Sequence, residues 1–227
     1  MKKLDTAAYF EKVYDSPDPW DIDGKYSDQV RASILNHQFH GVYFDTGIDV
    51  CCGEGFFTDT IGFVKHKVGV DISAKAIERA SSYFSGIEFR VDDYFKLDQV
   101  QEQFAFVSCF EALYYPESDL DREKALMNIL KLGSNDSYFA FSVVTVGTND
   151  DRRYFTKESF INLLEKHFVV EHVSPFVLRG RSTIVSRLFF SILMLFNKQF
   201  GLNCAQKHTL SANDRDVYQH LFVAKKR

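Results

Sequence analysis

Cysteine is scarce in this chain. Four are present, two of them adjacent, and none stands in a CxxC pair or at a Cys/His spacing that suits zinc. A disulfide framework and a zinc centre are therefore not expected. Adjacent cysteines rarely meet disulfide geometry, so Cys51 and Cys52 are not read as a redox pair. A reducing cytoplasm is the expected compartment. Positive charge is not in excess either. The formal net charge is −4, which argues against a nucleic-acid partner, since phosphate affinity needs clustered Lys and Arg. No secretory signal is read at the start, where Met1-Lys2-Lys3 leads into Leu4-Asp5-Thr6 instead of an apolar stretch. The most apolar run, Leu188 to Phe196, is broken only by Ser191. It falls short of the roughly 20 residues that a bilayer requires. There is no internal repeat, no low-complexity segment, and a single tryptophan, Trp20.

What the chain does have is phenylalanine, 23 of them in 227 residues. Most should fill a core, and some should line a pocket. The length suits one domain over residues 1–227. A helical N-terminal cover is expected over 1–43, a ligand-binding core over 44–146 and a substrate-side part over 147–227. In the first part, Tyr9, Phe10 and Val13 recur at helical spacing. Pro17 and Pro19 then end that helix, leaving Trp20 on a turn before a second helix near Ser27 to Phe39.

From residue 44 the pattern alternates. Strands are expected near Asp45–Val50, Lys67–Asp71, Ile87–Val91, Phe104–Phe110, Tyr138–Val146, Phe168–Val173 and Val217–Ala224. Helices fall at about Gly55, at Ser73–Tyr83, at Glu117–Leu132 with a stop at Gly133, and from the N-cap Thr156 to Lys166. Apolar strands alternating with helices predict an α/β fold: a Rossmann-like, doubly wound, mostly parallel seven-stranded sheet.

The motif that narrows the function is Ile48-Asp49-Val50-Cys51-Cys52-Gly53-Glu54-Gly55. A strand, a tight glycine turn, a helix and a second strand ending in Asp71 is how a doubly wound sheet grips a nucleoside. Gly53 and Gly55 are expected to leave room for a ligand against the backbone. Asp71 suits a pair of ribose hydroxyls. Asp92 and Asp93, at the end of the third strand, suit an adenine amino group, and strand-end geometry allows both. Asp49 suits a cationic ligand better than a pyrophosphate, or it only braces the turn. A GxGxxG pattern beginning at Gly53 meets Thr58 where its third glycine belongs. Begun two residues earlier, it meets Cys51 and Phe56. A nicotinamide cofactor therefore fits less well.

In the order Asp49-x-Cys51-x-Gly53-x-Gly55, Asp71, Asp92-Asp93 the chain resembles the class I S-adenosylmethionine-dependent methyltransferases. The resemblance implies S-adenosyl-L-methionine as cofactor. Its methionine part would face the glycine loop, its ribose Asp71 with Ile72 beside it, and its adenine amine Asp93 by the match of Val91-Asp92-Asp93-Tyr94 to the family pattern, with Asp92 allowed by strand-end geometry and Tyr94 nearby. Cys51 departs from the family, which usually has glycine there. Tyr14 to Trp20 with its Asp18-Pro19-Trp20, then Tyr26 and Arg31, and Phe110-Glu111-Ala112-Leu113-Tyr114-Tyr115 resemble the nodulation protein S group of N-methyltransferases, which act on an amine of an amino-sugar oligosaccharide. This implies a small-molecule acceptor. Trp20 and Arg31 are expected as a lid, with Arg31 meeting the methionine carboxylate. Glu111, Tyr114 and Tyr115 are expected at the acceptor, where Glu111 takes or orients a proton. His208 is a further candidate base. Methylation of an oxygen, or cofactor binding without turnover, are the rival readings. The apolar segment 182–200, with Arg179, Arg181 and Arg187, is read as a helix over the sheet or active site, or as a contact for a membrane surface or a lipid-linked substrate. The oligomeric state is not legible.

Overall fold

The computed structural model describes residues 6–20, 26–145, 155–178, 188, 192 and 217–227. The elements run α1 (Thr6–Val13), α2 (Tyr26–Gln38), β1 (Phe44–Val50), α3 (Phe56–Thr60), β2 (Val64–Asp71), α4 (Ala74–Tyr83), β3 (Glu88–Val91), β4 (Phe104–Phe110), α5 (Asp119–Lys131), β5 (Gly133–Val144), α6 (Lys157–Leu164), β6 (Phe168–Leu178) and β7 (Val217–Lys226). Seven strands form one sheet in the order β3-β2-β1-β4-β5-β7-β6. β1 pairs in parallel with β2 and β4, β2 with β3 and β4 with β5, whereas β7 runs antiparallel between β5 and β6. The order reverses between β1 and β4. In an open α/β sheet that switch point leaves a crevice at the carboxyl ends of the strands.

Strand alternation sorts the phenylalanines onto two faces. On one face Phe139 and Phe141 of β5 and Phe222 of β7 pack with Phe160 of α6 and Phe168. On the other, Phe106 and Phe110 of β4 pack with Phe39, Phe57 and Phe63. Six of the largest fully buried side chains are phenylalanines. The core therefore absorbs much of this unusual composition.

Three sequence expectations shift. The N-terminal cover divides in two: α2 belongs to the core through Val30, Ile34 and Leu35, while α1 buries no residue fully. β6 runs on past Val173 to Leu178 through Pro175, with irregular register on either side of it. An edge strand tolerates the missing N–H. Gly133 opens β5 and does not cap α5 in a left-handed turn. A Cβ there would stand 2.3 Å from the Phe139 ring, so close approach, not turn geometry, requires the glycine.

Arg179, Arg181, Arg187, His208 and nearly all of segment 182–200 lie outside the described residues. Leu188 and Ile192, one helical turn apart, are exposed. Among the described residues no helix is long and apolar enough to cross a membrane.

Candidate active site

The turn after β1 is held by backbone. Cys52 N donates to Val70 O and Gly55 N to Cys52 O, both at 3.0 Å. Gly53 and Gly55 have φ of +55° and +79°, and Cys51 adopts +62°. Cys51 thus keeps the left-handed backbone that glycine would supply, at a strain on the order of 1 kcal/mol. Its thiol is hydrogen-bonded to Cys109 and buried, and both push it up. Burial likewise pushes the Cys52 thiol up. Such thiols stay protonated and unreactive.

Side chains also approach the two glycines closely. A Cβ on Gly53 would lie 2.6 Å from the Tyr14 hydroxyl, and one on Gly55 would lie 2.6 Å from the Phe89 ring. Both positions therefore have no room for a side chain of their own. Gly53 lines the cavity and Gly55 does not.

The acids fall into distinct environments. Asp71 Oδ2 accepts from Gly53 N at 2.9 Å and Oδ1 from Ser73 N at 3.0 Å. One carboxylate thereby joins the glycine turn to the N-cap of α4, and it still has lone pairs for a ligand. Burial raises its pKa, against those amide bonds. Asp49 sits between Thr58 Oγ1 at 2.7 Å and Ser108 Oγ at 2.8 Å, and burial pushes it up to about 6. Thr58, the residue that breaks the dinucleotide pattern, is thus the hydroxyl that holds Asp49. Asp92 accepts from the amides of Asp93 and Gln99, one on each oxygen, and so braces its loop. Asp93 Oδ1 accepts from Phe95 N. Neither Asp92 nor Asp93 lines the cavity, whereas Asp49, Cys51, Asp71, Ile72 and Tyr94 do. The Tyr94 ring stacks on Phe95 at 4.6 Å, and its buried hydroxyl has no partner among the described residues.

The N-terminal segment closes one side. Glu54, buried between the two glycines, accepts from Asp18 N at 2.8 Å and pairs with Arg79 Nη1 at 2.7 Å. Arg79 also donates to Ser16 O at 3.0 Å. This clamp seats the Asp18-Pro19-Trp20 turn on the loop. Trp20 and Tyr14 join the wall, and Phe10 meets Tyr115 edge-on at 5.0 Å across the cavity. Removing one partner of a buried pair strands the other. Arg79→Ala is expected to destabilise the fold by about 2 kcal/mol, discounted for the partial exposure of Arg79, and to weaken ligand binding by loosening the turn. Urea denaturation with and without ligand measures both.

The opposite wall comes from distant parts of the chain. Arg31 of α2 is buried under the rings of Phe57 and Phe110, its carbon 4.2 and 4.8 Å from their centroids. It pairs with Asp28 at 2.5 Å, donates to Ser142 Oγ at 2.9 Å and lies 3.9 Å from Glu111 Oε1. Glu111 has φ +53°, a strain that tends to mark functional positions. Both its carboxylate oxygens are out of solvent, beside the Ser142 and Gln219 side chains. Burial raises its pKa, opposed first by the charge of Arg31. Tyr114, Tyr115, Phe176 of β6 and Gln219 of β7 complete a cavity of about 230 Å³.

Tyr14, Asp28, Glu54, Phe176 and Gln219 are among the cavity residues that escape the sequence reading as site residues. Glu54 is visible between the glycines, Tyr14 belongs to the stretch that carried the resemblance, and Asp28 stands three residues before Arg31. Phe176 and Gln219 have no local signal, since only the pairing of β6 and β7 brings them in.

A doubly wound sheet in this order, with a glycine turn after β1 and a carboxylate at the tip of β2, is the architecture of the class I S-adenosylmethionine-dependent methyltransferases, and the family match places the chain among them. A family model, nodulation protein S (NodS), matches residues 4–168, and the chain belongs to that family. The N-methyltransferase NodS from Bradyrhizobium japonicum WM9, solved with S-adenosyl-L-homocysteine, is similar over 98% of both chains, at 17% identity and a TM-score of 0.69. The plantazolicin methyltransferase BamL is similar at 16% identity and TM-score 0.60, over 98% of this chain and 96% of its own. The [4+2]-cyclase SpnF is similar at 14% identity and TM-score 0.62, over 87% of this chain and 81% of its own. A cyclase on this fold shows that the fold alone does not specify methyl transfer. No curated protein sequence matches the chain.

Proposed function

We propose that this enzyme transfers a methyl group from S-adenosyl-L-methionine to an amine of a small molecule, with an amino sugar as the acceptor class. The observation that carries the reading is Glu111, whose carboxylate oxygens are out of solvent on the cavity wall across from the glycine loop, 3.9 Å from Arg31. A carboxylate in that state suits a cation, or the proton that an ammonium must lose before it can attack.

The acids and rings of the cavity wall suit the cofactor's sulfonium, ribose and adenine. Asp71 holds the ribose hydroxyls, and Cys51 to Gly53 border the methionine part. Trp20 and Tyr14 cover it. Asp93 is the better partner for the adenine amine, because Asp92 spends both oxygens on backbone amides. When bound, the cofactor supplies a methyl group on a sulfonium that leaves as a neutral thioether. The protein's share is to position the nucleophile and relieve it of its proton. Glu111 does the second, and Tyr114 and Tyr115 flank the acceptor. The free thiols of Cys51, Cys52 and Cys109 support a reducing cytoplasm as the compartment.

Calorimetry with S-adenosyl-L-homocysteine should show binding. Mass spectrometry after incubation with the cofactor and glucosamine oligosaccharides should then show a methyl group on nitrogen. No binding by the intact protein defeats the reading. Methylation of a hydroxyl acceptor alone replaces the amine with an oxygen nucleophile. Binding with no turnover on any acceptor marks a non-catalytic module.

A further inference from the structure

Arg31 and Glu111 are linked twice. Ser142 Oγ accepts from Arg31 Nη1 at 2.9 Å, and Ser142 O accepts from Glu111 N at 2.8 Å. The guanidinium is also 3.9 Å from Glu111 Oε1. Its other end is committed to Asp28, and its faces to Phe57, Phe110 and Phe176. Side chains so enclosed are held rigidly, and a guanidinium charge is permanent.

We propose that Arg31 is a positioning residue that acts through Glu111: shared between Asp28 and Glu111, it fixes the aim and the charge of the carboxylate that meets the acceptor amine. This rests on the reading of Glu111 given above. It assigns Arg31 to the acceptor side of the cavity and not to the carboxylate of the cofactor.

The charged groups facing Glu111 are Arg31 and Asp28, both from α2. The neutral polar ones are Ser142 from β5 and Gln219 from β7. Asp49, on β1, faces Arg31. Arg31 favours the ionised carboxylate and Asp28 disfavours it. Removing each should therefore move the Glu111 titration in opposite directions. The other ionisable side chains of the cavity, such as Asp71 and Tyr94, should titrate unchanged.

The test is a pH titration of the full chain, ¹³C-labelled at glutamate carboxyls, followed by NMR. The Glu111 resonance is identified by its loss in Glu111→Gln. In Arg31→Gln the midpoint should rise by about one pH unit, and in Asp28→Asn it should fall. Should Arg31→Gln fail to fold, Asp28→Asn carries the titration alone, and a midpoint that does not fall there overturns the proposal. Affinities for S-adenosyl-L-homocysteine and for 5′-methylthioadenosine, which lacks the carboxylate, are measured in parallel. Arg31→Lys should change both by the same small factor, below about 3-fold. A loss of tenfold or more confined to S-adenosyl-L-homocysteine would place Arg31 on the cofactor carboxylate and overturn the proposal. So would midpoints that stay put or move together. The titration needs no acceptor, so its failure is separable from a failure of the methyl-transfer reading, which shows as no cofactor binding by the intact protein.

Discussion

Asp71→Ala is expected to lower the affinity for S-adenosyl-L-homocysteine by at least about 100-fold. Two losses add. The ligand forfeits hydrogen bonds to a charged acceptor, each worth about 1.5–3 kcal/mol. The amides of Gly53 and Ser73 also lose their shared acceptor, so the turn and the start of α4 are no longer tied together. A combined cost of about 3 kcal/mol corresponds to more than 100-fold. Asp71→Asn should fall between, because its one carbonyl oxygen can serve only one of the two amides, and its NH₂ faces the other as a second donor. Calorimetry gives the affinities, and circular dichroism shows whether the variants remain folded. A fold-change below about 5 in a folded Asp71→Ala would remove Asp71 from the ribose.

Glu111→Gln is expected to act in opposite directions on activity and on stability. With an amine acceptor, kcat should fall about 100-fold or more, the usual range for a lost acid–base group. Affinity for S-adenosyl-L-homocysteine should change less than about 3-fold. Stability should rise at neutral pH. The reason is linkage. Burial holds the Glu111 pKa in the folded protein above its ordinary 4.5. The protonated form is therefore favoured by folding. That contribution is present in acid and is lost as pH rises past 4.5 and through the folded value. Glutamine is neutral throughout, so the gap in melting temperature between variant and parent should open from acid towards neutral pH. Thermal scans at several pH values, with steady-state kinetics, check both halves. Equal loss of kcat and of stability would make Glu111 a structural residue.

The two halves of the site were unequally legible. Asp49, Cys51, Gly53 and Asp71 lie within one β-α-β unit, where the chain itself brings a strand end, a turn and the next strand end together. Spacing alone predicts such neighbours. Even there, spacing did not show what fills the gaps. The Tyr14 hydroxyl and the Phe89 ring occupy the room above Gly53 and Gly55, and Thr58 turns inward to Asp49. The family pattern favoured Asp93 over Asp92, while strand-end geometry allowed both. The structure adds that Asp92 accepts a backbone amide on each oxygen, and Asp93 one from Phe95.

The sequence by itself determined the alternation of strands and helices, the crevice at the end of β1 and the acid at the tip of β2. These follow from periodicity and from short-range order along the chain. Only the tertiary structure decided the opposite wall. Arg31, Glu111, Phe176 and Gln219 are far apart in sequence, and they converge because β4, β5, β7 and β6 lie side by side with α2 packed over them. The charge state of a buried group depends on that convergence. Glu111 is an ordinary glutamate as a letter. It becomes a candidate base because Arg31 stands at one side, Asp28 takes part of the charge of Arg31, and no water reaches its oxygens.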